Sequence, residues 1–304
     1  MMESFALVLV YLVIGSLLRR LPQFPQETGL VLNQYVLFVA LPALVLQKIP
    51  LLEFSSQLWL PAITPWVLLV IVAGLIILAG KIWHWEKTTV GALLVVLPLG
   101  NTSFLGFPMV EAFFGEKALP FAMIYDQAGS FVALATYSTI LAAWYNPNAA
   151  TPTAGQIVKR ILTFPSFIAL ALALALKSSP YPAFFSLVLD SLAATLVPVI
   201  MIAVGFQFRL QLDNKEAKPL IFALGVKLFL MPLLALGFLS FFQPDPLLLQ
   251  VVVFEAAMPP MVSAGAIAIG AGLALRLVPA LVGLGLLLSF ISLPLWYLLL
   301  QLYV

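Results

Sequence analysis

Long apolar runs dominate the chain, and polar residues are gathered into the short gaps between them. A helix needs about 20 apolar residues to cross the hydrocarbon of a bilayer. Runs of that kind fall near residues 4–18, 29–47, 58–80, 88–113, 119–144, 158–176, 183–208, 217–242, 247–271 and 277–302. The pattern therefore predicts an all-α membrane protein with ten spans and short connections. The stretch "LPLGNTSFLGFP" at 97–108 is an anomaly inside the fourth run. Proline removes a helix hydrogen bond and glycine loosens the backbone, so a break is expected there.

Composition agrees with a bilayer setting. The 304 residues are 63% hydrophobic and 9% charged, against about 25% charged in a soluble domain. Mean hydropathy is +1.14. A net charge of +2 gives no footprint for nucleic acid, and none is expected as a partner. The chain has no cysteine and one histidine, His84, so neither a disulfide framework nor a multi-histidine metal centre is expected. No cofactor is called for. At the N-terminus, "MMESFALVLVYLVIGSLLRR" carries its acid before the apolar run and its arginines after it. A secretory signal has the reverse order, which makes this a retained first span.

Lys and Arg set the expected orientation. Arg19, Arg20, Lys81, Lys87, Lys159, Arg160, Arg209, Lys215, Lys218 and Arg276 fall in one set of loops, and Lys48, Lys117 and Lys177 in the other. The richer set belongs in the cytoplasm, so both termini face outward. A bacterial inner membrane is the expected location.

An internal repeat accompanies this pattern. Pro25 and Pro182 are separated by 157 positions and Pro42 and Pro198 by 156, in segments of similar character. The broken stretch at 97–108 recurs at about the same distance as "EAAMPPMVSAGA", 255–266. Two repeats of five spans follow, 1–150 and 151–304, and an odd number per repeat inverts the second relative to the first. Inverted repeats with a broken helix in each half are a transporter signature. Irregular backbone at membrane depth is tolerated where it lines a cavity or is buried in protein. Half-helix N-termini at such a break carry about +0.5 charge and suit an anion. Asn101, Thr102 and Ser103 add short polar side chains at one break, and Ser263 at the other.

"GNTSFLGFPMVEAFFGEKAL" (100–119) resembles the Gly-Asn-Thr-x-Phe-x-Gly-x-Pro segment of the auxin efflux carrier family, distantly similar to the bile acid:sodium symporters. "LVPVIMIAVGFQF" (196–208), "KLFLMPLLAL" (227–236) and "AAMPPMVSAGAIA" (256–268) resemble later blocks of that family in the right order. The resemblance implies ten helices in two inverted five-helix repeats, with crossed broken helices four and nine around a central site. It also implies secondary transport of small organic anions, such as carboxylates or auxin-like compounds, and a homodimer. Carried over by residue, the substrate site comprises Asn101, Thr102, Gly106 and Pro108 at the first break. Met258, Pro259 and Pro260 belong to the second, beside Ser103 and Ser263. Two departures stand out. Where bile acid symporters carry Gln four residues after a helix-nine Glu, Glu255 is followed at that spacing by Pro259, which removes a sodium ligand. The long central loop of many plant members is replaced by a short connector at 145–158.

Ionisable residues inside spans are costly and mark function by default. Asp126, Glu255 and Lys227 are the candidates for ion coupling, with Lys227 and Glu255 at similar depth on neighbouring spans. Glu111 and Asp190 fall nearer the span ends, and His84 lies in the loop "KIWHWEK". His-Glu-x-x-His and Gly-x-Ser-x-Gly are absent, so no enzyme centre is expected. A sodium-coupled symporter and a non-transporting sensor or channel remain the alternatives.

Overall fold

The computed structural model describes residues 2–51, 56–146, 152–176, 181–207 and 216–303. In chain order its helices are α1 (Met2–Leu18), α2 (Thr28–Lys48), α3 (Trp59–Ile82), α4 (Lys87–Val96), α5 (Thr102–Phe114) and α6 (Glu116–Tyr145). There follow α7 (Ala154–Leu162), α8 (Pro165–Ala175), α9 (Ala183–Gln207), α10 (Ala217–Ser240), α11 (Pro246–Ala256), α12 (Val262–Gly270) and α13 (Leu277–Tyr303). Among the described residues there is no β-strand, only an isolated antiparallel bridge between Gly100 and Pro260.

Among the described residues six helices, α2, α3, α6, α9, α10 and α13, are long and apolar enough to cross a membrane. Their outer faces expose Val70, Ile221, Phe229 and Ile291, residues whose burial is completed by lipid tails. Trp59 and Trp83 sit at opposite ends of α3, and an exposed Trp144 sits at the end of α6, as in the aromatic belts at bilayer surfaces. The runs near 88–113 and 247–271 each become two helices around a break, α4 with α5 and α11 with α12. The run near 158–176 differs from expectation. Pro165 takes the first position of α8, where its missing N–H costs nothing, and α7 ends separately at Leu162. Ile161 and Leu162 therefore belong to another helix. The 209–216 loop of the orientation argument, with Arg209 and Lys215, lies outside the described residues except for Glu216.

Three prolines leave the same mark on their helices. The wide π turns Val36–Ala40, Thr102–Gly106 and Val226–Leu230 each end two residues before a proline, Pro42, Pro108 and Pro232. A proline ring clashes with the carbonyl one turn back, and widening that turn relieves the clash without ending the helix. Near Pro198 the helix is interrupted by a turn at Thr195 instead.

Two groups of helices pack around this framework. In one, α1 lies against α9, α9 against α2, and α2 against α8. Gly15 of α1 and Gly205 of α9 let the two backbones meet: a Cβ on Gly15 would run into the Ile202 carbonyl, and one on Gly205 into the Leu12 carbonyl. Ser16 Oγ donates to the Gly205 carbonyl at 3.1 Å. In the other group α3 packs on α6 and α10, α4 on α6 and α12, and α11 on α5, α6 and α10. This second group carries both breaks.

Candidate functional site

The two breaks meet. Asn101 N–H donates to the Pro259 carbonyl at 2.8 Å, and Met261 N–H donates to the Leu99 carbonyl at 3.1 Å. Each break thus satisfies backbone groups of the other, which answers the cost of unpaired amides at membrane depth. Asn101 also stands immediately before α5, where its carbonyl accepts from Leu105 and Gly106. Met261 holds the same place before α12, with its carbonyl accepting from Gly265. The first turns of α5 and α12 consequently start from one junction.

A cavity of about 250 Å³ opens beside it, lined by Asn101, Ser103 and Phe104 of the first break and Met261, Ser263, Ala266 and Ile267 of the second. Leu37 and Leu41 of α2, Asp126, Phe131 and Leu134 of α6, and Phe164 complete the wall. Phe131 and Phe164 stack with ring centroids 4.0 Å apart. Asp126 is 1% exposed and accepts from Thr102 Oγ1 at 2.6 Å and Ser103 Oγ at 2.7 Å through one oxygen. Gln127 Nε2 donates to its other oxygen at 2.8 Å. It sits in a π turn, Tyr125–Ser130, against α3, where Gly129 leaves room for the Pro65 ring. Asn101 lines the cavity but is buried, and its Nδ2 has no hydrogen-bond partner.

Glu255 packs against Gly106 of α5. It is fully buried, and neither carboxyl oxygen has a hydrogen-bond partner. Gly106 makes the space for it: a Cβ there would sit 2.5 Å from a Glu255 oxygen. Lys227 is 1% exposed and points its Nζ at Met231 Sδ, 3.4 Å away. Lys227 and Glu255, both buried, form no ion pair within 4.0 Å, unlike Lys48 and Glu116.

The remaining residues singled out in the sequence fall elsewhere. Thr102 is buried behind the cavity wall on Asp126. Met258 is fully buried, Pro259 supplies the junction carbonyl, and Pro260 packs on Gly285, where a Cβ would meet its ring. Pro108 and Glu111 line a second cavity of about 410 Å³ with Gln47, Lys48, Glu116 and Asp190. There Lys48 pairs with Glu116 at 2.6 Å and Gln47 Nε2 donates to Asp190. His84 is exposed at a positive φ of 53°, between Trp83 and Trp85. A third cavity of about 330 Å³ adjoins the first, sharing Phe104 and Ala266, and is lined also by Asn33 and Gln207.

A family model described as membrane transport protein matches residues 1–297. The chain belongs to this family, that of the auxin efflux carriers. It is a membrane transporter and an integral membrane protein. An uncharacterized transporter of Methanothermobacter thermautotrophicus is 27% identical over 97% of this chain and 96% of the relative. The uncharacterized transporter MJ1031 of Methanocaldococcus jannaschii is 28% identical over 67% of this chain and 68% of its own. Both relatives are archaeal.

The aromatic and aliphatic walls of the cavity were missed by sequence reasoning. Phe131, Phe164, Leu37 and Leu41 look like ordinary apolar span residues, and nothing in their spacing separates a cavity wall from a lipid face. The Thr102 and Ser103 bonds to Asp126 join positions 24 and 23 residues apart on different helices.

Proposed function

We propose that this transporter is a secondary carrier of small organic anions, working by alternating access around the junction of the two breaks. The observation that carries the proposal is the cavity where Asn101, Ser103, Asp126 and Ser263 converge. In this account α4 with α5 and α11 with α12 are broken helices four and nine, which cross in two inverted five-helix repeats. Packing supports the repeat. The first span lies on the seventh (α1 on α9) and the sixth on the second (α8 on α2), contacts that exchange under a shift of five spans. By the positive-inside rule the end carrying His84 and α7 faces the cytoplasm and both termini face out.

The chemistry of the cavity favours an anion that travels with a proton. Substrate oxygens would accept from Asn101 Nδ2, Ser263 and the first-turn amides of α5 and α12. An anion beside an ionised Asp126 meets like charge, worth about 4 kcal/mol at 4 Å and an effective dielectric of 20. A proton on Asp126 removes that repulsion, so proton and anion favour each other's binding. Glu255 is the second candidate for the proton, with Lys227 as its counter-charge. Sodium needs several oxygen ligands, and Pro259 stands where a helix-nine Gln would supply one.

A binding screen tests the site. Small mono- and dicarboxylates, added to the purified protein at acid and alkaline pH, should raise the unfolding temperature of the wild type more at acid pH. The effect should vanish in Asn101→Ala. Equal stabilisation of both proteins would place the substrate elsewhere.

A further inference from the structure

From α7 and its surroundings we infer that this helix is a membrane-surface anchor, seated in an anionic-lipid leaflet. Its sequence, AGQIVKRIL, divides cleanly at 100° per residue. Ala154, Ile157, Val158, Ile161 and Leu162 fall on one arc, and Gly155, Gln156 and Lys159 on the other, which continues to Thr163. Val158 is 53% and Leu162 57% exposed, whereas Ile157 and Ile161 are half-buried on the protein side. The protein therefore covers one flank of the apolar arc and leaves the other open. Water is a poor occupant for that flank, and the bilayer is within reach. Phe164, two residues beyond α7, starts the turn into the apolar helix α8, and the exposed Trp144 marks the end of α6 at the other side of the connector.

Charge selects the lipid. Lys159 is exposed, Arg160 follows it in sequence, and α7 carries no acidic residue. A short helix with a basic polar face and an open apolar face lies in the plane of the interface and is drawn to anionic headgroups. Its N-terminus is held by a capping box, in which Gln156 N–H donates to Thr153 Oγ1 and Thr153 N–H to Gln156 Oε1. Two of the groups at the helix start are thus satisfied within the chain itself. Phe164 stacks on Phe131 and lines the Asp126 cavity, so anchor and cavity wall belong to one continuous piece of chain.

The test uses the full chain, which has no cysteine of its own. Single cysteines at Val158→Cys, Leu162→Cys and Thr163→Cys carry a polarity-sensitive fluorophore. Each protein is reconstituted in phosphatidylcholine vesicles, with and without phosphatidylglycerol, and titrated with acrylamide. The Val158 and Leu162 labels should emit to the blue and resist quenching, and the Thr163 label should be quenched readily. Protection should increase with phosphatidylglycerol, and Lys159→Gln with Arg160→Gln should remove that increase while leaving the apolar face intact. Val158 and Leu162 labels quenched as readily as the Thr163 label in both lipids would overturn the anchor. Protection that ignores lipid charge would overturn the anionic-lipid part.

Discussion

Asn101 donates its backbone N–H to the carbonyl of Pro259, joining two helix breaks that lie in different halves of the sequence. The bond belongs to the backbone, and the buried Asn101 Nδ2 has no partner. Side chain and main chain at this residue therefore have separable roles. Asn101→Ala keeps the junction bond and removes an unpartnered buried donor, whose desolvation costs about 1–3 kcal/mol. The variant should unfold at the same temperature as the wild type or above it, while losing carboxylate binding. A large drop in unfolding temperature would mean that the side chain holds the break together.

Glu255 and Gly106 are coupled through space rather than through a bond. Gly106→Ala puts a methyl 2.5 Å from the end of the buried Glu255 side chain, which must turn away, and overpacking of this kind costs about 1–3 kcal/mol. In a Glu255→Ala background the same methyl meets empty space, and most of the cost should disappear. A double-mutant cycle by thermal or denaturant unfolding reads the difference. Additive effects would show that the cost at Gly106 comes from helix geometry alone.

The contact of α1 with α9 depends on two missing side chains. Gly205→Leu must separate the helices at Leu12 and break the Ser16 bond to the Gly205 carbonyl, so it should lower stability by more than about 1 kcal/mol. Gly237→Leu on α10, where a Cβ meets nothing within 4 Å, is the control and should be near neutral. Equal unfolding temperatures for the two variants would contradict close packing at Gly205.

Orientation is open to labelling. Gln23→Cys and His84→Cys occupy exposed connections on the Lys- and Arg-rich side, and Lys117→Cys the opposite side. An impermeant thiol reagent applied to intact cells should reach position 117 and not 23 or 84. Labelling of position 84 from outside would invert the topology.

Much of this was legible in the sequence because the bilayer imposes a simple rule on composition. The apolar runs near 29–47 and 277–302 became single long helices, and the Pro- and Gly-rich stretches at 97–108 and 255–266 became breaks. Local chemistry settled those features. The run at 158–176 misled, because Ile161 and Leu162 look like span residues although Pro165 begins a new helix. Side-chain direction was also beyond reach. Lys227 and Glu255 are both buried, as their depth suggested, yet Lys227 turns to Met231 and the carboxyl group to Gly106. The hydroxyl partners of Asp126, Thr102 and Ser103, come from another helix, where sequence spacing carries no information.

The central claim is that an anion and a proton pass together through the Asp126 cavity. Its most direct test is uptake into vesicles reconstituted with the purified protein, using the carboxylate that stabilises it most. A pH gradient, acid outside, is imposed first, and a sodium gradient separately. Wild-type uptake should follow the pH gradient and ignore sodium, and Asp126→Asn should take up substrate without responding to pH. Glu255→Gln in the same assay separates the two carboxylates. Uptake that depends on sodium with no response to pH, or a pH response that survives in both variants, would contradict the account.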